Sequence, residues 1–269
     1  SLIEANQIVQ QLLTENTSVS ENRKTKERSP TVRYVDFKNP KNNSFIAVSQ
    51  LKIRIVGTEH HIYPDIILFL NGMPVVVIEA KSPKVREPIA EAIDQLLRYS
   101  EQRGENKEGN KALFYYNQFV ISTCRNECKF GTISSHIEKW FFKWTDPYPK
   151  TIDEIGEKGR SPNDQVRMIH GMLSHENLLS LIKTFTLFSE NEKGQTVKVV
   201  ARYQQFRAVK KIVEVYAKDA RKYERVGEWA ERIGWERFFE KTELPFTHHL
   251  IDDYRFAYTT WRQSTQFKF

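Results

Sequence analysis

Three charged side chains interrupt two otherwise apolar runs: Asp65 stands before Ile66-Ile67-Leu68-Phe69-Leu70, and Glu79 and Lys81 close the run that begins Val75-Val76-Val77-Ile78. Charges in such surroundings are costly to bury unless they are paired or bind a metal. Glu79 and Lys81 are two apart, so on a strand they share a face. Two carboxylates and an ammonium on one sheet face suit metal-assisted phosphodiester hydrolysis. Asp65 and Glu79, helped by the Ala80 carbonyl, offer the hard oxygen ligands with which Mg²⁺ is held while it keeps several waters. Such a metal polarises the phosphate and lowers the pKa of an attacking water. Lys81 would position that water or stabilise charge on the phosphorus. A structural ion pair at a strand end is the alternative reading of the same residues.

The elements that must position these groups are two strands joined at Asn71-Gly72, a tight-turn pair. Parity sets a condition. A two-residue loop at Asn71 and Gly72 would point Asp65 away from Glu79. A three-residue loop, Leu70-Asn71-Gly72, with Gly72 in a left-handed bulge position restores parity and sets Asp65 opposite Val77, diagonal to Glu79. The chemistry therefore requires an odd loop or a bulge. A helix is expected from Pro88 to Gln102, with Pro88 in its first turn and Ile89, Ile93, Leu96 and Leu97 as its apolar stripe. Gln95 and Tyr99 are four apart on a neighbouring face.

Pro64-Asp65 followed by Glu79-Ala80-Lys81 resembles the core of PD-(D/E)XK nucleases, and Gln95 with Tyr99 resembles the Q-x-x-x-Y motif of their RecB-like branch. Upstream, Asp36-Phe37-Lys38-Asn39-Pro40-Lys41-Asn42-Asn43-Ser44-Phe45 and then Ser49-Gln50 extend the likeness. With the hairpin, they resemble the restriction subunit of type I restriction-modification enzymes over about residues 30 to 215. That resemblance implies an α/β fold, a mixed sheet flanked by helices. It assigns catalysis to Asp65, Glu79 and Lys81, support to Gln95 and Tyr99, and metal binding to Asp65 and Glu79. It also implies Mg²⁺, double-stranded DNA as substrate, ATP-driven translocation by two motor lobes of the full-length subunit, and methyltransferase and specificity subunits as partners.

The rest of the chain is read around that core. It has 269 residues, a net charge of +7 and 39% hydrophobic content, enough for one large domain or two. The basic balance fits a polyanion without identifying one. No apolar run is long enough to span a membrane, and with only Cys124 and Cys128, read as reduced packed thiols, a cytoplasmic setting is expected. The opening Ser-Leu-Ile-Glu, with neither an initiator Met nor a signal-peptide pattern, reads as an internal segment. Residues 2 to 15 have helical spacing, and Glu4 or Glu15 is open as a further acidic ligand. The basic run from Arg23 to Arg28 reads as an exposed loop. Strands are expected at Val32 to Phe37, Phe45 to Ile55, Ala112 to Cys124 and Gly131 to Ile133. The aromatic stretch from Trp140 to Trp144 reads as core rather than as a base-stacking platform.

Boundaries are expected near 146, at Asp146-Pro147-Tyr148-Pro149, and near 190, giving a nuclease domain (1–145), a helical connector (146–190) and part of a RecA-like motor lobe (191–269). In that lobe, Arg202, Tyr203 and Gln204 resemble the adenine-reading lead-in of helicase-like motors; a plain amphipathic helix fits nearly as well. No G-x-x-x-x-G-K-[ST] occurs, so no ATP hydrolysis is expected from this chain. His60-His61 reads as strand edge with a role near phosphate left open. His248-His249 with Asp252-Asp253 is a weaker metal-ligand grouping. Set against the nuclease is a non-catalytic module that keeps the fold and binds DNA or docks the motor; metal binding at the carboxylate pair separates the two. An ATP-binding regulatory fragment is a weaker third reading.

Overall fold

In the computed structural model, residues 1–15, 17–18, 23–104, 108–157 and 159–244 are described. The chain opens with α1 (Leu2–Thr14), whose capping box pairs Ser1 with Glu4. Two short strands, β1 (Thr17–Ser18) and β2 (Thr31–Val32), pair with each other. The strand expected over Val32 to Phe37 is cut short because Asp36 turns the chain: its Oδ1 accepts from the Lys38 and Asn39 amides at 3.0 Å each. Asn42 donates to the other carboxylate oxygen of Asp36 at 2.7 Å.

Next come β3 (Phe45–Ser49), β4 (Ile53–Arg54), β5 (His61–Ile62), β6 (Ile66–Leu70) and β7 (Met73–Ala80). The strand expected across Phe45 to Ile55 breaks at Gln50, which takes a left-handed φ of 51° and donates its amide to the Asp65 carbonyl at 3.1 Å. β4 and β5 instead pair as a separate ribbon. After β7 lie α2 (Pro88–Tyr99), β8 (Phe119–Cys124) and β9 (Glu127–Gly131). α2 stops three residues short of the expected Gln102 because the chain turns left-handed at Glu101, φ 58°. Lys111–Phe114 is a 3₁₀ turn, not a strand, and the segment from Gly131 to Ile133 contributes only its first residue to β9. Beyond the sheet follow α3 (Ile152–Ile155), α4 (Asp164–His170), α5 (His175–Thr184), the paired strands β10 (Thr186–Glu190) and β11 (Thr196–Val200), and helices α6 (Tyr203–Asp219), α7 (Val226–Ile233) and α8 (Trp235–Thr242).

The main sheet has the order β3-β6-β7-β8-β9, antiparallel except for the parallel β7–β8 pair that α2 bridges. β7 and β8 are central and carry near-continuous apolar runs, as strands covered on both faces do; Val75, Val76, Val77 and Phe119 are fully buried. Ile89, Ile93, Leu96 and Leu97 of α2 pack with Val77, Val120 and Cys124. Both thiols are free and buried, as expected. In the aromatic stretch Phe141 and Trp144 are core, while Trp140 is exposed.

A buried lysine ties distant elements together. Lys198 of β11 donates to Asn6 Oδ1 of α1 at 2.8 Å, to the Asn117 carbonyl at 2.9 Å and to Gln118 Oε1 at 3.0 Å. Asn6 in turn donates to the carbonyls of Phe114, Tyr115 and Asn117.

The chain divides into two compact units, one of Ser1–Ser189 with Thr196–Tyr203, the other of Glu190–Gln195 with the residues from Gln204 onward. The Pro-rich stretch at 146 lies inside the first. The second packs around Trp229, with Tyr216 edge-on at 5.7 Å and Phe238 at 5.5 Å. No helix among the described residues is long and apolar enough to cross a membrane.

Candidate active site

The parity condition is met by a bulge rather than by a three-residue loop. Asn71 and Gly72 form a two-residue loop with φ of 50° and 83°, between paired Leu70 and Met73. Two positive φ values define the hairpin turn whose twist matches the strands. The extra residue is in β7: Leu68 pairs with Val76 and Phe69 with Pro74, so Val75 is bulged. Ile66 then faces Ile78, and one step further Asp65 comes alongside Glu79, rather than Val77. The turn itself is held from outside. Asn71 accepts from the Ser44 amide at 2.7 Å and donates to the Tyr34 carbonyl at 2.8 Å and to Asn43 Oδ1 at 2.9 Å. The Asn-rich stretch before β3 is thus the clamp on the hairpin.

At the strand ends the three charged groups gather with two amides and a phenol. Asp65 accepts from Gln50 Nε2 at 2.6 Å and from the Ala80 amide at 2.8 Å. Lys81 Nζ donates to Glu79 Oε1 at 3.2 Å and to Gln95 Oε1. Gln95 donates to the Tyr99 hydroxyl, which reaches the Tyr63 carbonyl at 3.4 Å. The Lys81 amide bonds the Thr123 carbonyl at 2.9 Å, fixing the end of β7 against β8. The left-handed backbone of Gln50 at the end of β3 aims its amide at Asp65, a placement that strand periodicity does not foretell.

Glu79 is the strained member. It is 2% exposed, and burial, with the Asp65 charge next, pushes its carboxyl up to about 7, while Lys81 pulls the other way. Its Oε2 is buried without a hydrogen-bond partner. Buried polar atoms are seldom left so, and a carboxylate oxygen free of donors, beside a second carboxylate, is what a hard cation asks for. The pair fits Mg²⁺; among the described residues no group of three or more His, Cys, Asp or Glu does so.

Other residues singled out from sequence fall elsewhere. Glu4 is exposed in the first turn of α1, where its amide bonds the Ser1 hydroxyl in the capping box. The Arg202 guanidinium lies 3.9 Å over the Phe142 ring and Tyr203 meets Trp144 edge-on at 6.5 Å, so both pack on the aromatic stretch. Gln204 is exposed and belongs to the other unit. His60 and His61 line a groove with Gln95 and Tyr99. His248, His249, Asp252 and Asp253 lie outside the described residues.

A five-stranded mixed sheet flanked by helices, with an Asp, a Glu and a Lys at the ends of its central hairpin, fits a nuclease-like fold. Residues 1–139 match the family described as type I restriction enzyme R protein N terminus, and the chain belongs to that family. It is 33% identical over 217 residues to the HindI type I restriction enzyme endonuclease subunit of Haemophilus influenzae, an alignment covering 79% of this chain and 19% of that protein. The chain thus spans about a fifth of that relative's length.

A second likeness occupies a different stretch. Residues 156–250 match the family described as nitrite and sulphite reductase 4Fe-4S domain. The beta subunits of dissimilatory-type sulfite reductase from Nitratidesulfovibrio vulgaris and Archaeoglobus fulgidus are 70% identical over 64 residues and 60% over 63, covering 23% and 22% of this chain and 17% of each relative. Iron–sulfur clusters are held by cysteine thiolates. The chain's two cysteines, Cys124 and Cys128, precede residue 156 and are buried, and burial pushes the Cys128 thiol up to about 12. The matched stretch contains no cysteine.

Proposed function

We propose that this chain is the Mg²⁺-dependent endonuclease module of a type I restriction enzyme, hydrolysing phosphodiester bonds of double-stranded DNA. The observation that carries the reading is the bulge-set register that brings Asp65 alongside Glu79, whose Oε2 is buried without a hydrogen-bond partner, with Lys81 on the same face. A bound Mg²⁺ would supply Lewis-acid polarisation of the phosphate and a more acidic water. Asp65, oriented by Gln50 and the Ala80 amide, and Glu79 are its ligands. Lys81, steered by Gln95 and Glu79, holds the attacking water or the charge that develops on the non-bridging oxygens. Tyr99 keeps Gln95 turned toward Lys81.

The full-length subunit would cut after ATP-driven translocation, working with methyltransferase and specificity subunits, and ATP would be the cofactor of that full-length subunit. The alternative, a non-catalytic DNA-binding or docking module with a nuclease-like fold, gives no reason for a metal at the carboxylate pair. Calorimetric titration of the chain with Mg²⁺ and Mn²⁺ separates the two. The nuclease reading expects binding that Asp65→Asn and Glu79→Gln each abolish. Binding unchanged in both variants, or no binding to the wild type, favours the scaffold.

A further inference from the structure

A groove of about 510 Å³ opens between the β4–β5 ribbon and the C-terminal half of α2, and it borders the candidate active site. Its lining includes Gln95 and Tyr99, so it is continuous with the hydrogen-bond chain that ends on Lys81. Ile55 and Ile62 give it a buried apolar base. His60, His61, Tyr63 and Arg98 also line it, and Glu108 is the acid among the lining residues. The ribbon is pinned in place: Asn110 Nδ2 donates to the Arg54 carbonyl at 2.9 Å, and Tyr99 reaches the Tyr63 carbonyl.

Tyr63 is the informative residue. It is 44% exposed although it lies two positions from Asp65, at most about 7 Å along the chain. Its ring and that of His61 are 6.4 Å apart and tilted by 43°, so neither covers the other's face. An aromatic platform beside an arginine and a histidine pair, over an apolar base, matches the two halves of a nucleotide. The ring stacks on a base, and the cationic and imidazole groups meet the sugar-phosphate. Bases within a duplex have their faces covered by their neighbours; only an unstacked nucleotide offers one.

We infer that this groove takes an unpaired nucleotide of the strand being cut, its base stacked on Tyr63, so that the site acts on DNA opened next to the scissile bond. The inference rests on the nuclease reading for the identity of the strand, but its binding test does not require cleavage. The full chain is mixed, without divalent metal, with a short DNA single strand carrying 2-aminopurine, and with forked and blunt duplexes of one sequence. Wild type should quench the 2-aminopurine fluorescence and bind the forked duplex more tightly than the blunt one. Tyr63→Ala should lose the quench and about tenfold in affinity for the single strand, Tyr63→Phe should keep both, and His61→Ala should weaken binding with the quench retained. Equal binding of blunt and forked duplexes, or Tyr63→Ala behaving as wild type, overturns the inference. Cleavage by Asp65→Ala or Glu79→Ala would instead refute the nuclease reading, and would leave the fluorescence result standing.

Discussion

Glu79 is held in a neutral-prone state by its burial and by Asp65, and the sign of its contribution to stability follows. Burial, with the Asp65 charge next, pushes its carboxyl up to about 7 from an ordinary 4.5. Between those values the folded chain binds more protons than the unfolded one, so metal-free stability falls as pH rises through this window, by on the order of 3 kcal/mol. Urea unfolding at pH 5 and pH 8 should show that fall in wild type and lack it in Glu79→Gln; equal slopes in both would remove the strain from Glu79. Lys198 makes a second residue-scale prediction. Burial pulls its pKa well below the usual lysine range, yet three acceptors surround its Nζ, and three donors are what an ammonium has. Lys198→Met fills the volume but leaves Asn6 Oδ1 and Gln118 Oε1 unmet, while the Asn117 carbonyl keeps its bond from Asn6; it should cost about 3 kcal/mol in denaturant unfolding.

The hairpin is the element on which the site depends, and its turn is clamped by Asn71. Asn71→Ala loses three hydrogen bonds and places alanine at a φ of 50°. A loss of about 2 kcal/mol, with cleavage falling more than stability alone explains, is expected by chemical denaturation and plasmid assay. Much of this element was legible in the sequence. The two apolar runs, the Asn-Gly pair and the Pro-helix with Gln95 and Tyr99 are local patterns, and strand and helix periodicity expose them. The bulge at Val75 was not legible, because Pro74-Val75-Val76-Val77 is uniformly apolar and periodicity has nothing to slip against; only the demand that Asp65 meet Glu79 pointed to an extra residue. Gln50 and the Asn-rich clamp escaped for another reason. Their roles are long-range hydrogen bonds, 15 positions from Gln50 to Asp65 and 28 from Asn43 to Asn71, which no local pattern encodes.

At the scale of the whole molecule, the first unit carries the restriction-family match at 1–139, while the sulfite reductase match at 156–250 runs from the end of that unit into the second. The expected motor lobe over 191–269 rests on the likeness of Arg202, Tyr203 and Gln204 to helicase-like motors, and within that span lies the helical unit around Trp229. Its Trp229 indole donates to Asp219 at 2.7 Å and packs on Phe238. Trp229→Ala should raise hydrogen exchange across α7 and α8 and leave DNA cleavage unchanged. With no cysteine after Cys128, metal analysis of the purified chain should find iron far below one atom per molecule, even after anaerobic reconstitution with iron and sulfide. The central claim, that Asp65, Glu79 and Lys81 form a metal-dependent phosphodiesterase, is tested most directly by supercoiled-plasmid cleavage. The assay uses the complete subunit with the proposed methyltransferase and specificity partners, in Mg²⁺ and ATP, comparing wild type with Asp65→Ala, Glu79→Ala and Lys81→Ala. Loss of cleavage in all three with ATP hydrolysis retained is the predicted result; cleavage that survives these substitutions would contradict the claim and make the hairpin scaffold alone.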